Sequence, residues 1–492
     1  MFNNNLYKYN IKNIIMSIKN DKTETINNRL NFVKSLLKNK ELKPIVDYDD
    51  TNTDAYISYG KNKDDSCESY DTRTTLNKEI HDIRTIINEL GGDLTYVKSG
   101  TTGHTFKGEQ KDNNNNVLYE YAVKVVAYSI KDKYGDVHDT ERPENAELLM
   151  IKLLSYFVVT KKTPHIVLPI GTFDTNINTF MKLIEQKQLI DKTKTKKNEK
   201  YKEFVERYEK GEFYDEVSIL ISEWANQGDF NDYVKLNHTK ITTLDWKIFF
   251  FQIISTLAII QSKYPAFRHN DLKANNILIT RTNNKKTTQR YRIKNGNTQD
   301  KYIVPSNGFQ LKIWDFDFAC IPGIVNNKKV AISNKWSRGI NIAPVQNRYY
   351  DVHYFFNTFM RKGFFPDIMT SDNIDKSVKN FILSIVPYKY QSGEYVAKGG
   401  RILHNIEYQI PAEILKHNPF FAEFRKNDDI KISKPSKKGS IKMNDFLSSS
   451  SKYNTITPTL HTKKPTKKPS KSTKKKDDGV YSFDIDKLLF DL

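Results

Sequence analysis

The chain has 492 residues, of which 38% are hydrophobic and 12% aromatic, so it can bury the cores of two or three domains of ordinary size. Its formal charge of +20 favours acidic partners such as nucleic acid, anionic membrane or ATP, without choosing among them. Two distant cysteines, Cys67 and Cys320, exclude a disulfide framework and a cysteine zinc site, and they fit a reducing, intracellular compartment. The longest apolar run, 248–260, is shorter than the ~20 residues of a membrane span.

The N-terminal residues 1–73 are rich in Asn, Lys and Asp and are predicted to be largely disordered, with one helix at 25–38. From residue 75 the pattern changes. Apolar residues at helical spacing between Ile80 and Leu90 predict a helix, which Gly91 and Gly92 end before a strand at 94–97.

The next segment, 97–106, is a predicted hairpin with two glycines. Because glycine lets a backbone approach phosphate oxygens closely, it is a candidate phosphate-covering loop, although a plain β-turn fits it as well. The candidate nucleotide-binding residues are Val97, Lys98, Ser99, Gly100, Thr101, Thr102, Gly103, His104 and Thr105.

A strand at 121–126 carries a single charge, Lys124, between apolar neighbours. Such a lysine either discourages aggregation of an edge strand or holds a phosphate. In the next predicted helix, Glu147 has apolar residues at +3, +4 and +7, which predicts that it lies on the buried face. Glu144 is a rival partner for Lys124. If Glu144 were the partner, the charged Glu147 would lie at +3 from it, at a position that should be apolar and buried.

Three further elements precede the central motif. They are a strand at 164–171, a charged insertion at 178–212 and a strand at 218–223. The insertion is predicted to be partly helical and to face solvent. A buried helix at 246–263 then leads directly into the motif.

The central motif is His-Asn-Asp-Leu-Lys-Ala-Asn-Asn-Ile-Leu-Ile at 269–279, in which Asp271, Lys273 and Asn276 occur at short offsets before an apolar β-run. Thirty-nine positions after Asn276, a second β-run ends in Asp315. Each residue alone would more often be a turn or cap residue. Together they supply a base for an attacking hydroxyl and oxygen ligands for Mg²⁺, which is what phosphoryl transfer requires.

This pair of motifs resembles the HxDxKxxN and DFG motifs of eukaryotic-type Ser/Thr protein kinases. The strings at 315–317 and 351–357 look most like the divergent kinases of large cytoplasmic DNA viruses, the poxvirus and giant-virus type. The resemblance covers about 90–424 and implies an α+β, bilobal fold. The implied division is an N-terminal segment at 1–73, a kinase domain at 74–424 with a β-rich small lobe at about 74–223 and a helical large lobe at about 226–424, and a tail at 425–492.

The resemblance implies transfer of the γ-phosphate of ATP to protein hydroxyls. Asp271 would orient the acceptor hydroxyl and accept its proton, and Lys273 would steady the γ-phosphate. Asn276 and Asp315 would hold Mg²⁺, with Mn²⁺ as the alternative metal.

The resemblance also places the nucleotide. Lys124 and Glu147 would position the phosphates of ATP. Backbone groups from Glu223 to Ala225 would hold the adenine edge, with Ser222 at the gatekeeper position; an ordinary strand and turn is the alternative for this segment.

The sequence departs from the kinase pattern at four places. Asn270 replaces the Arg of HRD, Asp317 replaces the Gly of DFG, Val345 replaces the Glu of Ala-Pro-Glu, and Lys98 replaces the first loop Gly. The arginine that usually pairs with the missing glutamate has no clear counterpart either. We therefore expect that ion pair to be absent altogether, since a lone buried charge would be costly.

Two departures suggest specific hypotheses. Asn270 lacks the charge and fork that anchor an activation-loop phosphate, so activity should not require phosphorylation at Ser333 or Ser337. Arg268 should point elsewhere if His269 is buried. Asp317 would either add to the metal site or stiffen the activation segment.

The remaining segments are basic. The insertion at 280–301 is expected to be a mobile surface loop, with a docking arm as the alternative, and eight lysines lie between 463 and 476. The tail is predicted to bind polyanions such as nucleic acid, with a merely solubilising role as the alternative. The residues at 481–492 fit a docking helix.

Two other classes of function stay open. One is a pseudokinase scaffold that tethers partners through the basic tail, and the other is a small-molecule kinase of related fold. The location implied by the resemblance is the cytoplasm of a host cell, or a virion. The oligomeric state is not predicted.

Overall fold

The computed structural model describes residues 25–50, 75–99, 103–132, 134–190, 198–282, 287–331 and 335–426. They belong to one compact unit that ends at Lys426. Several predictions lie wholly or partly outside the described residues. They concern disorder at 1–24 and 51–73, the loop centre at 100–102, parts of the insertions at 191–197 and 283–286, Ser333, and the lysine-rich tail with its docking helix.

The small lobe is an antiparallel five-stranded sheet with helices around it. The helices are α1 (Ile26–Leu37), α2 (Ile83–Leu90), α3 (Pro143–Val159), α4 (Ile177–Gln186) and α5 (Glu199–Glu209). The strands are β1 (Asp93–Ser99), β2 (His104–Lys111), β3 (Val117–Ser129), β4 (Pro169–Asn176) and β5 (Phe213–Glu223), in the order β1-β2-β3-β5-β4.

The predicted amphipathic helix before β1 is present as α2. It begins after Asp82, whose carboxylate accepts a hydrogen bond from the Arg84 N–H (2.8 Å), the usual role of an aspartate at an N-cap. It ends at Gly91, which has φ +84°. At Gly92 a side chain would lie 2.5 Å from the carbonyl oxygen of Glu109, so this position requires glycine.

The insertion at 178–212 was predicted to face solvent, but part of it is buried. One face of α4 and α5 is buried, including Phe180, Leu183 and Phe204. The ring of Phe204 stacks on Phe213 of β5, with 5.3 Å between centroids. The insertion therefore covers the face of the sheet opposite to Lys124.

The large lobe follows β5. Its helices are α6 (Phe230–Asn237), α7 (Thr243–Lys263), α8 (Lys335–Gly339), α9 (Tyr350–Phe359), α10 (Asp367–Thr370), α11 (Lys376–Ile385) and α12 (Pro411–His417). Its strands are β6 (Ile277–Arg281), β7 (Thr288–Asn295), β8 (Thr298–Pro305) and β9 (Phe309–Ile313). β6 pairs with β9, and β7 with β8, both antiparallel.

Helix α7 is the core of the large lobe. Thr242 and Asp245 cap its N-terminus reciprocally, and it is apolar on every face. Among the described residues, it is the one helix long and apolar enough to cross a membrane, but 78% of its most apolar window is buried inside the protein. It is therefore a core helix that ends just before the 269–279 motif.

Most of the described part of the basic insertion at 280–301 lies in the β7–β8 hairpin, where a mobile loop was predicted. Tyr291 and Tyr302 are buried and both contact Phe251 of α7, with centroids 5.0 and 5.3 Å apart. The Tyr291 hydroxyl lies 2.7 Å from Nε2 of His165, whose Nδ1 faces the carbonyl of Leu311. Burial lowers the pKa of His165 to about 3, so its neutral ring donates through Nδ1 and accepts from Tyr291.

Disorder was predicted for 1–73 apart from one helix; of this segment the structure describes 25–50, and that part is ordered. The predicted helix is present as α1, capped by the Thr25 hydroxyl, which accepts from the Asn28 N–H (3.2 Å). The whole of 25–50 packs on the small lobe. Its buried apolar side chains are Leu30, Val33, Leu36, Leu37, Leu42, Val46 and Tyr48.

Candidate active site

The strand lysine and the helix glutamate form the predicted ion pair. Nζ of Lys124 lies 2.7 Å from one oxygen of Glu147 and 2.9 Å from the other, and it lies 3.0 Å from Oδ1 of Asp315. β3, α3 and the end of β9 therefore bring three predicted site residues together. Glu144, the rival acid, pairs instead with Arg142 (3.2 Å).

The charges in this cluster shift one another's pKa. Burial, together with Asp315 and Asp317, raises the pKa of Glu147 to about 7, although Lys124 opposes the change. Burial would also raise the pKa of Asp315, but Lys124 outweighs it and lowers the value to about 2. Lys124 itself is buried, yet the two carboxylates raise its pKa, so it stays charged.

The loop residues divide between the two faces of the sheet. In the antiparallel register Thr105 pairs with Lys124, and Lys98 with Thr105, so these side chains share the face that carries the ion pair. Val97 falls in the bulge between Tyr96 and Lys98.

His104 and Ser99 do not fit their predicted nucleotide-binding role. His104 pairs with Val125, so both lie on the face opposite to Lys124. Its Nδ1 lies 2.5 Å from the Ser99 hydroxyl, its ring packs against Phe204, and burial lowers its pKa to about 4. These two side chains anchor the hairpin to the insertion.

Gly103 is required for a reason that the sequence did not indicate. A Cβ at this position would lie 2.5 Å from the carbonyl oxygen of Val125 and 2.8 Å from a methyl carbon of Val126. The glycine thus permits close approach between β2 and β3 as well as any approach to phosphate.

The predicted hinge follows β5, with Ser222 and Ala225 both buried. The carboxylate of Glu223 takes no part in an adenine site, because it bonds Arg29 of α1 and Lys312 of β9 (3.0 Å). These cations overcome the effect of burial and lower the pKa of Glu223 to about 2. Only its backbone is left for the predicted role.

A buried carboxylate of α9 bonds the backbone of the catalytic-loop motif. Asp351 of α9 accepts hydrogen bonds from the N–H groups of His269 (2.8 Å) and Asn270 (2.9 Å). Asn270 has φ +64°, a conformation that asparagine tolerates better than most residues. Its side-chain amide donates to the carbonyl of Phe318 at the start of the activation segment (2.9 Å).

Four side chains surround the carboxylate of Asp271. The amide nitrogen of Asn276 donates to Oδ2 (3.1 Å), and Nζ of Lys273 lies 3.2 Å from the same oxygen. Oδ1 accepts a hydrogen bond from the Arg401 guanidinium and a longer one from the Tyr354 hydroxyl (3.4 Å). Together they fix the orientation of the carboxylate.

Sequence reasoning missed Arg401. It lies in a loop without a recognisable motif, 130 positions from Asp271. Its guanidinium is buried and packs over the Tyr354 ring, 4.2 Å from the centroid. No local sequence signal marks this arginine, because only its burial makes a charged partner necessary.

The side chain of Asp317 pairs with Lys329, and its carbonyl accepts from the Asn327 amide (2.8 Å). Of the two predicted roles, this arrangement favours stiffening of the activation segment over ligation of a metal. Further along the segment Ser337 is buried.

Close to Val345, where the usual glutamate is missing, the structure contains a different ion pair. Nε of Arg348, just before α9, lies 2.9 and 3.0 Å from the two oxygens of Glu407, which precedes α12. The pair joins the end of the activation segment to the last helix of the lobe. Neither residue lies in a motif, so the sequence did not predict this pair.

The side chain of Arg268 is fully buried and is engaged by its neighbours. Its guanidinium donates to the carbonyl of Asn341 and stacks over the Tyr350 ring, 3.6 Å from the centroid. The predicted ligands Asn276 and Asp315 supply oxygen atoms, which suit a hard divalent cation. Because the Asn276 nitrogen is used by Asp271, its amide oxygen is the atom for such a cation.

Comparison with known proteins agrees with this geometry. The family model described as poxvirus serine/threonine protein kinase matches residues 115–423. A protein of Acanthamoeba polyphaga mimivirus is 44% identical over 410 residues, which is 83% of this chain and 82% of that protein. A second mimivirus protein is 30% identical over 41% of this chain and 55% of its own length.

A third relative comes from outside the viruses. A Dictyostelium discoideum protein is 35% identical over 102 residues, 21% of this chain and 8% of its own length. All three relatives carry inferred names as serine/threonine-protein kinases. The matched region contains Lys124, Glu147, the catalytic loop and Asp315. The chain belongs to the poxvirus serine/threonine protein kinase family and is a divergent viral-type protein kinase with the bilobal α+β fold.

Proposed function

We propose that this kinase transfers the γ-phosphate of ATP to Ser and Thr hydroxyls of proteins, and that it needs no phosphorylation of its own activation segment. The observation that carries the first part is the position of Lys124, which lies within 3.0 Å of both Glu147 and Asp315. This is the arrangement that phosphoryl transfer by protein kinases requires.

Each residue has one part in the reaction. The backbone of Glu223 to Ala225 holds adenine, and Lys124 binds the α- and β-phosphates. Asn276 and Asp315 would hold a Mg²⁺ ion, which would supply positive charge against the phosphate oxygens. Family membership supports the use of ATP and a divalent ion in general.

The chemical step takes place at Asp271. The oxygen of the acceptor hydroxyl attacks the γ-phosphorus, and the hydroxyl proton passes to the Asp271 carboxylate. The bond between the γ-phosphorus and the bridging oxygen breaks, and its electron pair leaves with ADP. Lys273 neutralises the transferred phosphoryl group. Arg401 and Asn276 keep the carboxylate aimed, which matters because a small misplacement of a catalytic group lowers the rate strongly.

Three contacts support independence from phosphorylation. Asn270 already binds the start of the activation segment, Asp317 ties it to Lys329, and Arg348 ties its end to Glu407. None of them involves a phosphate, so contacts of the unmodified chain hold both ends of the segment within its described residues, 315–331 and 335–344.

The test measures transfer of labelled γ-phosphate to a generic protein substrate. Asp271→Ala and Asp315→Ala should each lower transfer by at least about a hundredfold, ~2.7 kcal/mol in the barrier. The matched control is Asp372→Ala, an exposed carboxylate of the large lobe. Equal transfer by all four proteins would refute the proposal. Mg²⁺-dependent ATP binding without turnover in the wild type would favour the pseudokinase alternative.

A further inference from the structure

The guanidinium of Arg29, in helix α1, is buried behind the hinge. Nε donates to the Glu223 carboxylate (2.9 Å), and Nη2 donates to the same carboxylate and to the Ile166 carbonyl (2.7 Å). Nη1 donates to the Pro164 carbonyl. This geometry uses the full planar fork of an arginine, which lysine cannot reproduce.

The acceptors of Arg29 lie near the junction of the two lobes, where the proposed nucleotide would bind. Glu223 is the last residue of β5, where the hinge begins, and its carboxylate also accepts from the Leu168 N–H (2.8 Å). The same carboxylate receives Lys312 of β9, in the large lobe (3.0 Å). Arg29 therefore acts where the two lobes join.

The rest of the segment 25–50 reaches the helix that carries Glu147. The Asp47 N–H donates to the Tyr156 hydroxyl of α3 (3.2 Å). Leu42 packs so closely on β4 that a Cβ at Gly171 would lie 2.8 Å from it. One segment thus contacts the hinge strand, a neighbouring strand and α3.

A contribution to folding stability alone does not account for a buried arginine at this position. A buried charge is costly unless it is paired and fully hydrogen-bonded, and a well-packed apolar side chain would often stabilise as much. The arginine gives a fixed direction to the Glu223 carboxylate, and through it to the hinge backbone that follows.

We infer that 25–50 is a positioning element of the adenine site, and that Arg29 is its positioning residue, acting through Glu223 on the hinge. This inference rests on the proposed function, because it concerns ATP at the hinge. The segment would act mainly on the adenine end, since Lys124 and Asp315, the groups at the phosphate end, do not contact Arg29.

The experiment separates the two ends of the nucleotide in the full-length chain. Inhibition constants are measured for adenosine and for Mg²⁺-tripolyphosphate, along with KM for ATP and for protein substrate. Arg29→Met should raise the adenosine inhibition constant and the KM for ATP about tenfold or more, ~1.4 kcal/mol. The tripolyphosphate constant and the KM for protein substrate should stay within about twofold.

Two further variants complete the design. Arg29→Lys keeps the charge without the fork and should give an intermediate effect, and it serves as the readout should Arg29→Met not fold. The matched control is Arg84→Met, because Arg84 is exposed and pairs with Asp82 on the small lobe. Arg84→Met should behave as the wild type.

The outcomes are distinct. Equal adenosine inhibition in the Arg29 variants and in Arg84→Met, with active wild type, overturns the inference and leaves the proposed function standing. Equal weakening for adenosine and tripolyphosphate also overturns it, because that result indicates general loosening of the fold. A wild-type protein that binds no adenosine and transfers no phosphate overturns the proposed function, and this inference with it.

Discussion

Replacing Glu147 with glutamine should separate what this residue does for folding from what it does for catalysis. Its carboxylate is buried beside Lys124, with Asp315 and Asp317 nearby. Glutamine has nearly the same shape but cannot ionise. The two proteins therefore differ mainly in one proton and one charge.

The magnitude follows from the pKa of Glu147, which rises from 4.5 to about 7 on folding. Between these values the folded chain holds a proton that the unfolded chain has released. Stability from this group is therefore fully present below about pH 4.5 and is lost as the pH rises through 7. The difference corresponds to about 3 kcal/mol at pH 8.

The assay is urea unfolding of wild type and Glu147→Gln at pH 5 and pH 8. Comparing the two proteins at each pH cancels the titration of other groups, including the buried histidines. The glutamine variant should gain about 2–3 kcal/mol relative to wild type between pH 5 and pH 8. Parallel pH dependence of the two proteins would refute the reasoning.

Glu147→Gln should lower the kinase activity, although it should raise the free energy of unfolding relative to wild type at pH 8. Without the glutamate charge Lys124 loses the partner that aims it at the phosphates, so Glu147→Gln should lower transfer at least tenfold, ~1.4 kcal/mol in the barrier. Glu144→Gln, on the same helix, should stay within about twofold because Glu144 pairs with Arg142. A larger loss in Glu144→Gln than in Glu147→Gln would show that the wrong acid had been assigned.

Three other predictions concern the activation segment. Asp317→Gly should lower kcat severalfold, because the contact between Asp317 and Lys329 is lost. The preference for Mg²⁺ over Mn²⁺ in metal titrations should not change. A changed preference would place Asp317 in the metal site. Single charge reversals at Arg348 or Glu407 should each cost ~1 kcal/mol in urea unfolding, since the pair is partly exposed, and the double reversal should recover most of it. Phosphatase-treated protein should keep its transfer rate within about tenfold, ~1.4 kcal/mol, and a larger loss restored by rephosphorylation would contradict our interpretation of Asn270.

That Lys124 and Asp315 lie together was predictable, because each lies in its own local motif. Lys124 and Asp315 are 191 positions apart, yet each has a characteristic strand around it. Ion pairs between segments without motifs were not predictable. Arg29 is 194 positions from Glu223, and Arg401 is 130 from Asp271. Nothing local marks such partners, because burial alone makes them necessary.

Composition misled for a related reason. The insertions at 178–212 and 280–301 are highly charged on average, which predicts segments that face solvent. Burial is decided by a few side chains, such as Phe204 and Tyr291, and these contact neighbours that a window of sequence does not contain. A period of apolar residues was also hard to detect in such short elements.

The same contacts bear on regulation. A phosphate on the activation segment would need a cation, and Arg268 is the one next to the catalytic loop motif. Its guanidinium is already committed to the Asn341 carbonyl and the Tyr350 ring, and it is fully buried. Freeing it would break those contacts and leave a carbonyl unpaired, a cost of ~1–3 kcal/mol. Since a charge-assisted bond returns about 1.5–3 kcal/mol, the exchange offers little net gain, which supports an activation segment that works without phosphate.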